Sequence, residues 1–135
     1  MCIRDRNLAE IDITTRFLRR QLSAPLLITG MTGGTERADA LNAVLVEVAA
    51  QHNIAVGLGS QRASLEAGQS QKNLRASNPS ACLIGNLGGV QIVGDAGFAR
   101  AQRAVEDIEA DALAVPHMIL VDSIFRPVLE KRAIS

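Results

Sequence analysis

Apolar residues in this chain fall into short blocks that alternate between two periods. Ala24-Pro-Leu-Leu-Ile28 is nearly all apolar and runs into Gly30, as expected for a strand buried on both faces of a parallel sheet. From Thr35 to about Asn53 apolar groups recur at Leu41, Val44, Leu45, Val48 and Ala49, the spacing of an amphipathic helix, with Glu36 and Asp39 near its positive end. Ile54–Leu58 predicts a second strand, set off by Gly57 and Gly59. A more polar helix is expected over Leu65–Arg75, stopped by Asn78-Pro79. Ala81–Ile84 predicts a third strand closing on Gly85. From Phe98, the positions Ala101, Val105 and Ile108 restore the helical period, and Ala112–Val115 reads as a fourth strand.

The predicted order is β-α-β-α-β-α-β with a period of roughly 25–30 residues, which builds parallel sheets. Two closures fit: an open doubly wound sheet, or part of a (β/α)8 barrel. Element order alone leaves both open, and a barrel of about 250 residues would need as many strands again.

Composition narrows the function. The 135 residues are 47% hydrophobic and 21% charged, so a wholly disordered chain is excluded. Fourteen Lys and Arg balance fourteen Asp and Glu, which argues against a general nucleic-acid or anionic-membrane binder. With no Trp and no Tyr, stacking platforms for bases are also disfavoured. Cys2, Cys82, His52 and His117 are too few for a disulfide scaffold or a zinc cluster, and Cys82, inside an apolar run, is expected to be a small core residue. Charges in Met-Cys-Ile-Arg-Asp-Arg stand where a signal peptide needs its apolar stretch, and no run approaches the roughly 20 apolar residues of a spanning helix. A reducing cytoplasm, without membrane or nucleic-acid partners, is the expected setting.

In either closure ligands bind in the loops that follow the strands. After the first strand comes Thr29-Gly-Met-Thr-Gly-Gly-Thr35, leading into a helix; its glycines would let the backbone approach a ligand, although a plain turn explains them too. It lacks the Gly-Lys-[Ser/Thr] of a phosphate-binding loop and is not the Gly-x-Gly-x-x-Gly turn. After the second strand, Ser60-Gln61-Arg62 sets three polar side chains together, where an Arg could grip a diphosphate with two parallel bonds; a cap with a solvated Arg is the plainer alternative. After the third, Asn86-Leu-Gly-Gly89 offers a carboxamide that both donates and accepts, or that simply caps its turn. Three such loops in succession favour one binding rim. His52 reads as a helix-end residue, and Arg16, Arg19 and Arg20 as a solvated face. Asp107, Glu109 and Asp111 read as surface charge away from the rim. No paired carboxylates and no nucleophile beside a base are evident, so no catalytic and no metal residue is assigned.

Glu10-Ile-Asp-Ile-Thr-Thr-Arg-Phe-Leu, Leu22-Ser-Ala-Pro-Leu-Leu-Ile, Met31-Thr-Gly-Gly-Thr, Gly57-Leu-Gly-Ser-Gln-Arg, Asn86-Leu-Gly with Val90-Gln, and Gln102-Arg-Ala-Val with Ala110-Asp-Ala-Leu occur in that order. Over about residues 8–115 this set resembles type 2 isopentenyl-diphosphate isomerase, a cytoplasmic FMN-dependent (β/α)8 barrel. The resemblance implies an α/β fold, a partial TIM barrel of about the first four β/α units. It also implies interconversion of isopentenyl and dimethylallyl diphosphate in isoprenoid biosynthesis, with FMN, Mg²⁺ and NADPH as cofactors. In that reaction the reduced flavin serves as acid and base. Carried over by position, Gly30, Met31, Thr32, Ser60 and Asn86 would contact FMN, and Ser60, Gln61 and Arg62 would hold the diphosphate. Gly30 stands where the family more often has Ser or Ala, a change expected to open space.

The ends depart from the pattern. An Arg-Lys pair of the family has no counterpart, Pro116-His-Met-Ile replaces a His-Leu-Asn segment, and His117 falls one residue late and receives no role. The expected organisation is a segment 1–22 before the barrel, a half barrel over 23–115 and a divergent tail over 116–135. The chain is expected to be a fragment, inactive alone and homo-oligomeric when full length. Two other readings stay open: an FMN-dependent barrel oxidoreductase of the 2-hydroxy-acid type, and a small non-catalytic α/β binding module.

Overall fold

The structure, a computed structural model, describes residues 10–116; Cys2, His117 and the expected tail beyond Pro116 lie outside the described residues. A hairpin, β1 (Thr15–Phe17) and β2 (Arg20–Leu22), precedes β3 (Leu27–Ile28), α1 (Glu36–His52), β4 (Ala55–Gly57), α2 (Arg62–Glu66), α3 (Asn73–Ser77), β5 (Cys82–Asn86), α4 (Gly94–Ile108) and β6 (Ala112–Ala114). Strands β3, β4, β5 and β6 form one parallel sheet in sequential order, with Leu27 beside Ala55, Val56 beside Leu83, and Gly85 beside Leu113. The expected α/β class with a parallel sheet is therefore observed. No helix of the described residues is long and apolar enough to cross a membrane.

Alternation along the strands decides what each face does. Val56 and Leu83 turn to one side and pack with Val46 and Ala49 of α1, Leu74 of α3 and Ile108 of α4. Leu113 faces the same way, in a cluster with Leu65 of α2 and Ala104 of α4. On the other face Ala55 and Cys82 meet Leu22 of the hairpin. The four α-helices of the described residues thus cover one face, and the hairpin covers the beginning of the other.

Helix α1 begins as its sequence requires: the Thr35 hydroxyl accepts the Ala38 N–H at 3.1 Å, and Asn53 closes it in the left-handed region with φ 49°. Its buried stripe is Ala38, Asn42, Val46 and Ala49; of the expected face, Ala49 is in the core and Leu45 packs against it, whereas Leu41, Val44 and Val48 do not meet the sheet. Leu41 and Val44 remain 44% and 54% exposed, since apolar residues run around more than one side of the helix and the sheet covers one of them.

Further expectations change. The single helix over Leu65–Arg75 is two, α2 and α3, separated by a turn with Gly68 at φ 66°. Asp107, expected on the surface, accepts from the Ser70 hydroxyl at 2.7 Å and the Gln71 N–H at 2.8 Å, so side-chain bonds outcompete the helix there. The first strand shortens to two residues because Pro25 has no N–H and Leu26 turns back onto the Ala24 carbonyl. Helix α4 begins at Gly94, four residues before Phe98, and the segment before the sheet holds a hairpin whose turn residues Leu18 and Arg19 both have positive φ, 48° and 64°.

Asp111 and Arg20, both expected to be solvated, are instead paired. Asp111 accepts Arg20 Nε at 2.6 Å, Arg75 Nη2 at 3.0 Å and the Leu83 N–H at 2.9 Å. Burial alone would raise this carboxyl; the bonds from Arg20, Leu83 and Arg75 outweigh it and hold it below its ordinary 3.8. One carboxylate so joins the hairpin, α3, β5 and the start of β6. Cys82, in the core as expected, has its thiol pushed up by burial and by the Asp111 charge.

Candidate functional site

The carboxyl-terminal ends of β3, β4, β5 and β6 lie side by side, and their loops are stitched in sequence. Leu58 N–H donates to Ile84 O at 2.9 Å, Gln61 N–H to Asn86 O at 2.9 Å, Leu87 N–H to Ala114 O at 3.1 Å and Gly89 N–H to Pro116 O at 3.1 Å. The three loops singled out in the sequence therefore meet on one rim.

Glycine joins the first two loops directly. A Cβ on Gly30 would lie 1.8 Å from the Leu58 carbonyl oxygen, and one on Gly59 only 1.5 Å from that of Thr32. A Cβ on Gly33 would stand 2.7 Å from Ser60 O. These residues are glycine so that one loop backbone can lie against the next. The expected reading of Gly30, space gained where Ser or Ala would otherwise stand, is corrected: no side chain fits without moving Leu58.

The candidate residues then divide. Met31 is 87% exposed, and Ser60 and Arg62 are exposed on the same rim. The Ser60 hydroxyl accepts the Arg62 N–H at 3.4 Å, while the Arg62 guanidinium makes no bond among the described residues and is available to an anion. Asn86 is partly exposed at the end of β5 with its carboxamide unbonded among the described residues, a donor and an acceptor side by side. Thr32 is turned inward: its hydroxyl donates to Asn42 Oδ1 at 2.8 Å, and Asn42 Nδ2 returns a bond to Thr32 O at 3.3 Å. Gln61 differs most from expectation. It is 2% exposed, its Nε2 donates to Ala104 O at 3.0 Å, and its Oε1 accepts the Asn86 N–H at 3.1 Å.

Asn42 was not singled out, yet at 3% exposure it anchors the first loop to α1. A polar residue in a stripe of Ala38, Val46 and Ala49 is the signal that could have found it. Among the described residues no group of three or more His, Cys, Asp or Glu could hold a metal ion.

These features define an α/β protein with a loop rim at the carboxyl edge of a parallel sheet. No family model matches the chain. It is 48% identical over 112 residues to an isopentenyl-diphosphate delta-isomerase of Pseudescherichia vulneris, covering 81% of this chain and 32% of that protein. It is 46% identical over 112 residues to the enzyme of that name from Xanthobacter autotrophicus, covering 81% of this chain and 33% of the relative. For the one from Ignicoccus hospitalis the identity is 38% over 124 residues, 90% of this chain and 34% of the relative. The chain spans about a third of the length of the curated relatives it matches.

Proposed function

We propose that residues 23–115 form the first four units of a (β/α)8 barrel of the type 2, FMN-dependent isopentenyl-diphosphate isomerases, carrying one arc of the flavin and diphosphate site. Sequential strand order with the α-helices of the described residues all on one face supports the barrel, since a doubly wound sheet puts helices on both. The observation that carries the reading is the rim itself, where Ser60, Arg62 and Asn86 converge from loops joined backbone to backbone.

The residues present fit FMN in part. The free Asn86 carboxamide matches the alternating acceptor and donor edge of the flavin ring, and Ser60 and the backbone of Gly30 and Met31 lie on the same rim. Reduced FMN would supply the acid and base of the allylic proton shift. The chain's own task is binding: Arg62 holds the diphosphate by charge-assisted bonds, Ser60 positions it, and Asn86 orients the ring. Thr32 and Gln61 act from behind, through backbone placement. Mg²⁺ finds no cluster of ligands among the described residues, and no residue is assigned to it or to NADPH.

The test is titration of the chain with FMN, followed by flavin fluorescence, and with inorganic diphosphate, followed by calorimetry. Saturable one-to-one quenching, and diphosphate binding that Arg62→Ala weakens, are expected. Neither ligand binding at millimolar concentration would refute the site.

A further inference from the structure

Gln61 stands between two exposed residues, Ser60 and Arg62, yet is itself buried, and its bonds are unusually concentrated on one neighbour. Its N–H donates to Asn86 O at 2.9 Å, and its side-chain Oε1 accepts the Asn86 N–H at 3.1 Å. Both peptide groups of Asn86 are thus held by this one residue. Strand β4 ends at Gly57, so the Gln61 amide oxygen takes the place of the strand carbonyl that would otherwise face Asn86. The other end of the amide donates to Ala104 O, inside α4, and the Gln61 carbonyl accepts the Leu65 N–H at 3.0 Å at the start of α2. Gly85 completes the fit: a Cβ there would lie 2.7 Å from Gln61 Oε1.

We infer that Gln61 is a positioning residue that clamps the Asn86 peptide so that its free carboxamide faces the ligand, rather than a residue that touches the diphosphate. The inference rests on the site reading above for the identity of the ligand, but not for the clamp. A clamp of this kind uses both ends of an amide against two backbone partners, and a side chain with one polar end, or none, cannot reproduce it.

The experiment compares Gln61→Met, Asn86→Ala and the double variant with the wild-type chain. In the wild type, a through-bond NMR coupling from the Asn86 amide nitrogen to the Gln61 side-chain carbonyl carbon is expected. In Gln61→Met, exchange of the Asn86 amide should rise at least tenfold while the Leu83 amide in the sheet centre stays protected. FMN affinity should fall about tenfold, and that loss should vanish in the Asn86→Ala background, because Gln61 acts through Asn86. An equal loss in both backgrounds, or none in either, overturns the inference. Should Gln61→Met fail to fold, Gln61→Glu keeps an acceptor for Asn86 but loses the donor to Ala104 O; its loss of FMN affinity must likewise vanish in the Asn86→Ala background, or the inference fails. Absence of the wild-type coupling removes the clamp outright. A wild-type chain that shows the coupling but binds no FMN leaves the clamp standing and overturns the site reading and the ligand role with it.

Discussion

Replacing Asp111 by Ala tests the charged junction beneath the sheet. The substitution leaves the Arg75 guanidinium, 8% exposed, with the carbonyls of Pro79, Ala81 and Glu109 but without a counter-ion, and strands the Leu83 N–H. An orphaned buried donor costs about 1–3 kcal/mol. Breaking a fully buried pair costs about 3–5 kcal/mol, and the 15% exposure of Asp111 and 32% of Arg20 place this one at or below the low end. The two losses overlap, so the expected total is about 3–4 kcal/mol, a large part of the roughly 5–15 kcal/mol that holds an ordinary domain. With no Trp or Tyr in the chain, urea unfolding is best followed by far-ultraviolet circular dichroism. Asp111→Asn keeps an acceptor and the shape, and is expected to lose less. A loss under about 1 kcal/mol for Asp111→Ala would equate the junction with an exposed ion pair and refute the reasoning. The sign of the pH effect follows from the depressed carboxyl. Its contribution is complete above the ordinary 3.8 and drains away as pH falls through the lower folded value. Acidification below pH 4 should therefore narrow the gap between wild type and Asp111→Asn.

Arg62→Ala should weaken diphosphate binding about tenfold to a hundredfold, the worth of charge-assisted bonds, with the unfolding midpoint unchanged, since its exposed guanidinium bonds to no group among the described residues. Gly59→Ala should cost more than about 2 kcal/mol, since its Cβ meets backbone that cannot retreat, and a melt within 2 °C of wild type would show that the loops are not interlocked. Arg19→Gly should stabilise by about 0.5–1 kcal/mol, because the two-residue turn holds a non-glycine residue at φ 64°; a lower urea midpoint would count against it.

Much of the architecture was legible because burial and period coincide in its longest elements. Helix α1 starts at its Thr cap and ends at Asn53, and strands β4, β5 and β6 fall within two residues of their apolar blocks. What escaped notice depended on contacts between residues far apart in the chain. Arg20 and Asp111 are 91 positions apart and read as surface charge until folding places them 2.6 Å apart. The break between α2 and α3 depends on Asp107, supplied by a different helix. At the rim, the three loops were found from their glycines and polar ends, but not the inward turn of Gln61. A residue flanked by Ser60 and Arg62 carries no local mark of facing the core. The apolar residues on more than one side of α1 likewise hid which side meets the sheet.

The contact of Gly30 and Gly59 with each other's loops bears on how this rim can vary. A residue whose side chain points outward, such as Met31, 87% exposed, can be exchanged by itself, because the backbone behind it stays in place. An insertion in either turn would have to be matched in its neighbour, so the two must diverge as a single unit. Tailoring of what the mouth accepts would thus proceed by replacing tips on a fixed frame, and swaps of whole turns would succeed only when both are transplanted together.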